Sequence, residues 1–168
     1  CGLGYRQSEY ECFGVDWASR GKLFDEKLNV LVTALRGDVF HYHGSNRRLN
    51  PRPLSPLHSL LTIGGNSHAA ALRAARLGLF FCPAIDDPAL DATYLAACKV
   101  RDFKYGFIIS PRAPATSFIS TDPKACWEEI GNYLLYDATA YRAWHHPNRR
   151  AYAESFASNI DELKSEGK

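Results

Sequence analysis

Methionine is missing from all 168 residues, and no run of about eighteen apolar residues occurs anywhere. The second absence excludes an apolar helix long enough to span a membrane. The first residues also lack the charged and apolar regions of a signal peptide. Cys1, Cys12, Cys82, Cys98 and Cys126 are odd in number and scattered, with no Cys-x-x-Cys pair and no histidine at metal-ligand spacing. Reduced thiols in a cytoplasmic protein are the economical reading. A strong charge of one sign is absent as well: 20 Lys and Arg face 18 Asp and Glu, interspersed along the chain, for a net charge of +2. That balance gives no basic footprint for nucleic acid and no polybasic tether to a membrane surface. A chain without methionine that begins Cys-Gly-Leu-Gly, in the manner of a strand's tail, is expected to be a fragment.

What is present is enough for a core. The length suits one domain, and 46% hydrophobic residues suffice to fill it. The most informative stretch is Leu60-Leu61-Thr62-Ile63-Gly64-Gly65-Asn66-Ser67, followed by an Ala-rich run over residues 69–77. A β-branched apolar run that breaks at two glycines and opens a helix at Asn-Ser delivers a buried strand to a helix N-terminus. A phosphorylated ligand is the first expectation there, although Gly-Gly before a serine cap also ends many ordinary strands.

Around this stretch the pattern alternates. Residues 1–6 read as a strand end and glycine turn, and Ser8-Glu9-Tyr10-Glu11 as a short helical turn. Over residues 20–36 the stripe Leu23, Phe24, Leu28, Leu31, Val32, Leu35 predicts a helix with Asp25, Glu26 and Lys27 facing outward, ended by Gly37. Residues 38–59 form a non-helical excursion: a short strand through Val39-Phe40-His41-Tyr42-His43-Gly44, then a loop held extended by Pro51, Pro53 and Pro56. Strands are expected from Leu60 and over 79–84, 105–110 and 117–120, and helices over 67–77, 88–100 and 123–144. The last of these starts at Asp122-Pro123 and is expected to bury Trp127, Ile130, Leu134 and Tyr141. Residues 146–168 are a polar tail with helical potential. Apolar-run strands alternating with amphipathic helices argue for a parallel sheet in an α/β fold, either doubly wound or a (β/α)8 barrel.

Candidate site residues gather at the glycine turns. Gly64 and Gly65 allow close approach of an anion, Asn66 and Ser67 open the helix, and its unpaired first-turn amides favour negative charge. Gly2-Leu3-Gly4-Tyr5-Arg6 is a second such turn, expected at the same C-terminal end of a parallel sheet. Arg6 and Arg20 can pair with a phosphate, with a surface ion pair as the competing reading for each. His41 and His43 would share a strand face but lack a third ligand, so no metal is assigned. His58, His68, His145 and His146 read as ordinary histidines, His68 being notable for its place at the mouth of the helix. No Ser-His-Asp set, Cys-His arrangement or carboxylate pair stands out, and Cys82 before Pro83 reads as core filling. Any chemistry is therefore expected to come from a bound cofactor.

Taken in order, the motifs resemble the luciferase-like flavin-dependent monooxygenases. The resemblance rests on Gly2-Leu3-Gly4-Tyr5-Arg6 with Glu9-Tyr10, Phe13-Gly14-Val15-Asp16, Arg20-Gly21, Asp25-Glu26 and Phe40-His41-Tyr42-His43-Gly44. It continues through Pro51, Pro53, Ile63-Gly64-Gly65-Asn66-Ser67 and Arg73-Ala74-Ala75-Arg76-Leu77-Gly78, to about residue 145. The resemblance implies a (β/α)8 TIM-barrel type fold, with this chain as an incomplete barrel from about strand four onward and residues 1–168 as one partial domain. It implies reduced FMN, or in some branches a deazaflavin, with the phosphate held by Gly64, Gly65, Asn66, Ser67 and Arg20, and with Tyr5 and Arg6 beside it. Monooxygenase members use reduced flavin from a separate flavin reductase, molecular oxygen and a small organic substrate, and family barrels commonly pair, so a homodimer is implied too. Alternatives are deazaflavin-dependent hydride transfer or a non-catalytic flavin-binding accessory protein. Catalytic groups are expected on the early strands, leaving this fragment inactive alone; Cys1 sits where some members place a cysteine near the flavin ring.

Overall fold

A computed structural model describes residues 1–112, 117–140, 142, 151 and 154–166. The described chain divides into two compact units, one of residues 1–82 and 87–109, the other of residues 83–86 and 110–168. The first unit carries helices α1 (Gln7–Cys12) and α2 (Arg20–Leu35), strands β1 (Phe40–Tyr42) and β2 (Ser45–Arg47), and the short helix α3 (Leu57–Leu60). Strand β3 (Thr62–Gly64), helix α4 (His68–Leu77), strand β4 (Phe80–Cys82) and helix α5 (Pro88–Val100) complete it.

A parallel ladder organises this unit. β3 pairs with β4 in the register Thr62 to Phe80, Ile63 to Phe81 and Gly64 to Cys82. On the far side of β3, the Cys1 ammonium donates to the Thr62 carbonyl at 2.6 Å, and the Cys1 carbonyl accepts from the Gly64 amide at 2.7 Å. Those are the two slanted bonds of a parallel neighbour opposite Ile63. On the far side of β4, Phe81 bridges Ile108 in parallel, its amide and carbonyl bonded to Phe107 and Ile109. Four chain segments thus lie side by side in sequence order and one direction.

Side chains alternate across this ladder. Ile63 and Phe81 are fully buried on the face covered by α4 and α5, where Phe81 stacks on Tyr94 with ring centroids 5.5 Å apart. The Tyr94 hydroxyl donates to the Leu79 carbonyl and accepts from the Phe107 amide, tying β4 to its neighbour. Burial pushes the Tyr94 phenol well above its ordinary pKa and raises that of the adjacent Cys98 thiol. Cys98 is a core thiol in an apolar setting.

The two long helices of the unit start and stop on local signals. Ser67 caps α4 through Ala70, and Gly78 closes it in the left-handed region at φ 68°. Asp87 caps α5 through Ala89, with Pro88 in the first turn. α4 carries Ala70, Ala71, Ala74 and Ala75 on its buried face, letting it lie close to the sheet and α5.

Several expectations need correction. Asp25 does not face outward with Glu26 and Lys27; it turns to α4 and takes both Arg73 and Arg76. His41 and His43 do not share a strand face, because His43 at φ 48° and Gly44 at φ 73° form the tight turn of the β1–β2 hairpin. The strand expected from Leu60 begins at Thr62, since Pro56 starts the helical turn of α3 and Leu60 ends it. Residues 117–120 form no strand, and Phe118 and Ile119 are exposed.

In the second unit, α6 (Pro123–Ala140) and α7 (Ile160–Ser165) meet where Gly131 faces Ile160 and the Lys164 ammonium lies 5.2 Å from the Trp127 ring centre. Trp127, Ile130 and Leu134 are half-buried rather than buried, and Gly131 is the buried position of α6. Asn159 caps α7 through Glu162 within the expected tail over 146–168. Tyr141, Trp144, His145 and His146 lie outside the described residues. Among the described residues, no helix is long and apolar enough to cross a membrane.

Candidate functional site

The parallel ladder sets the site, because it puts the C-terminal ends of neighbouring strands side by side. A side chain on Gly2 would meet the Gly64 carbonyl at 3.9 Å, and one on Gly64 would meet the Cys1 and Cys82 carbonyls at 3.7 and 3.6 Å. The two glycine turns singled out in the sequence are therefore neighbours at one end of the sheet. Register also places Cys1 level with Ile63 and Phe81, so its side chain belongs to the helix-facing side of the ladder.

Gly65 makes the turn from β3 into α4. Its φ of 147° is open to glycine, and a Cβ there would meet the Ala70 Cβ at 2.8 Å. Ser67 Oγ accepts from the Ala70 amide at 3.3 Å. The amides of His68 and Ala69 have no acceptor among the described residues, and Ser67 donates its hydroxyl proton to none of them. Two open helix-start amides, a spare hydroxyl and a glycine that admits close approach make a cradle suited to a phosphate.

His68 is fixed beside this cradle. Its Nδ1 lies 2.7 Å from Thr93 Oγ1, while the Thr93 hydroxyl donates to the Ala89 carbonyl at 2.9 Å.

The upstream candidates take different places. Tyr5 is exposed just past Gly4, and Arg6 holds Glu9 at 2.9 Å. Arg20 opens α2 and lies half-buried over Trp17, with its guanidinium carbon 3.7 Å from the ring centre and Nη1 donating to the Trp17 carbonyl at 2.6 Å. It makes no hydrogen bond to the 64–67 turn and has no carboxylate partner among the described residues.

Sequence reading overlooked what supports Arg20. Asp16 accepts from the Ala18 and Ser19 amides at 3.1 and 2.9 Å, bracing the turn before α2, and these bonds hold its carboxyl below the ordinary range. Tyr10 sets its ring edge against Trp17 at 5.0 Å and donates its hydroxyl to the Leu3 carbonyl. An aspartate three residues before a serine ahead of a helix was the available signal for the turn.

The family model described as luciferase-like monooxygenase matches residues 1–167, and the chain belongs to that family. Membership implies a TIM-barrel-type α/β fold, of which the described residues show an open parallel run. The chain is also 32% identical over 110 residues to an uncharacterized protein of Mycobacterium bovis and to two uncharacterized proteins of Mycobacterium tuberculosis. In each case the match covers 60% of this chain and 38% of the relative, so the chain matches well under half the length of these relatives.

Proposed function

We propose that the chain is part of a flavin-dependent oxidoreductase, a monooxygenase using reduced FMN and molecular oxygen on a small organic substrate. The observation that carries this reading is the pairing of Cys1 beside β3, which sets the Gly2-Leu3-Gly4 turn beside Gly64, at the end of the ladder where the chain turns into α4. In this reading Cys1, β3, β4 and the Phe107 to Ile109 segment are strands four to seven of a (β/α)8 barrel, and residues 1–168 are one partial barrel domain. Gly64, Gly65, Asn66 and Ser67 hold the FMN phosphate, Arg20 supplies a positive charge, and Tyr5 and Arg6 flank it. Bound reduced flavin supplies the electrons that activate oxygen for transfer to substrate. The chain's own task is to bind and orient: backbone amides take the phosphate oxygens, and the helix dipole opposes their charge. A separate reductase as flavin source and a homodimer follow from the same reading.

Binding tests it directly. FMN titrated into the chain, followed by quenching of flavin fluorescence, is expected to bind more tightly than a deazaflavin cofactor, and Ser67→Ala is expected to weaken FMN about threefold to tenfold. A marked preference for the deazaflavin would replace the oxygenase reading with hydride transfer.

A further inference from the structure

Arg20 is a half-buried cation that finds no carboxylate among the described residues, although its chain holds 18 acidic residues. Its guanidinium lies on the Trp17 indole, 3.7 Å from the ring centre, and one edge is fixed to the Trp17 carbonyl at 2.6 Å. Stacking satisfies the face of the guanidinium and leaves the remaining N–H edge for an anion. The platform is itself held. Tyr10 packs its edge on Trp17 at 83° between ring planes, its hydroxyl binds the Leu3 carbonyl, and Gly4 lies against its ring, where a Cβ would come within 3.5 Å. Leu3 follows Gly2, where a Cβ would meet the Gly64 carbonyl at 3.9 Å. A continuous set of contacts therefore runs from the β3 turn through Leu3, Tyr10 and Trp17 to Arg20.

We propose that Trp17, braced by Tyr10, is a positioning residue that pre-orients Arg20 as the side-chain receptor for the phosphate monoester of the ligand bound at the 64–67 turn. This rests on the flavin-phosphate reading above. A long arginine side chain loses several rotamers on binding an anion, and a stacked one has already lost them, so the platform raises affinity for the phosphate without touching it. The effect is confined to the charged group. Ligands lacking the phosphate gain nothing from Trp17.

The test compares FMN with riboflavin, which carries the same ring without the phosphate, by fluorescence quenching on the full chain. Wild type is expected to favour FMN. Trp17→Leu is expected to lower FMN affinity about tenfold while leaving riboflavin unchanged, Trp17→Phe to restore most of the loss, and Trp17→Leu with Arg20→Ala to be no weaker than Arg20→Ala alone. Far-ultraviolet circular dichroism and a thermal melt on each variant show whether the fold is kept. Equal loss of FMN and riboflavin in Trp17→Leu, full FMN affinity in that variant, or additive losses in the double variant would each overturn the role of Trp17. If wild type binds FMN no better than riboflavin, the phosphate site itself fails, and the positioning role falls with it.

Discussion

Gly65 shows how much a single residue type decides here. At φ 147°, with Ala70 Cβ only 2.8 Å from where its own Cβ would stand, the turn from β3 to α4 admits no side chain without moving the helix start. Gly65→Ala is expected to destabilise the chain by about 1–3 kcal/mol through backbone strain, and to weaken FMN binding beyond that because the His68 and Ala69 amides shift. Urea unfolding and flavin titration of the same variant separate the two effects. Residue-scale features of this sort were legible in the sequence: two glycines before Asn66-Ser67 announce the turn, and Ser67 announces the cap. The stack of Arg20 on Trp17 was not, because nothing in the spacing of two half-buried residues tells whether a cation lies on a ring or reaches into solvent.

Between elements, the best-defined contact joins α2 to α4. Asp25 Oδ1 and Oδ2 take Arg73 in a two-pronged pair at 2.8 and 2.9 Å, and Oδ1 takes Arg76 as well at 2.7 Å. Arg73 is 8% exposed, so its charge depends on this partner. The hydrogen bond from Arg73 holds the Asp25 carboxyl below its ordinary range, outweighing the opposing effect of burial. A carboxyl whose folded pKa is depressed contributes stability above its unfolded value, about 3.9, and loses it as pH falls through the folded value. Asp25→Asn is accordingly expected to lose about 1–2 kcal/mol at pH 7, discounted for the part of the side chain in solvent, with the difference from wild type shrinking below about pH 4. Urea unfolding across pH 2–7 reads this; a difference that stays constant through that range would remove the pair as its source. The sequence placed α4 and α5 within a residue of their observed ends, since caps are local. It placed Asp25 on the wrong side of α2, because a lone acid on a helix reads as solvated until its arginine partner, 48 residues away, is folded against it.

At the scale of the whole chain, apolar surface is the conspicuous feature. Phe107 and Ile109, on the ladder face opposite α4 and α5, are 57% and 40% exposed, and Leu54 and Ile119 are fully exposed. Exposed apolar side chains beside a parallel ladder favour association. The isolated chain is expected to dimerise or aggregate at micromolar concentration in sedimentation velocity, and Phe107→Lys with Ile109→Lys to shift it toward monomer; a monomeric wild-type chain with a cooperative melt would contradict this. The alternation of apolar strands and helices foretold a parallel α/β arrangement, and the described residues contain one. The expected strand over 117–120 failed at this scale, since a strand exists through its neighbours and this one pairs with none among the described residues.

By itself the sequence determined the ends of α4 and α5, the glycine turns and the family order of motifs. Each depends on residues within a turn or two of one another, or on a collinear string that needs no coordinates. The shared end of the two glycine turns, 62 residues apart, was expected from the sequence and is met in the fold; tertiary structure alone decided that Cys1 runs beside β3 in register with Ile63, that Asp25 belongs to Arg73, and that Arg20 rests on an aromatic platform. Those outcomes depend on strand register and on which helix faces meet, and both are settled when the whole apolar surface is buried together.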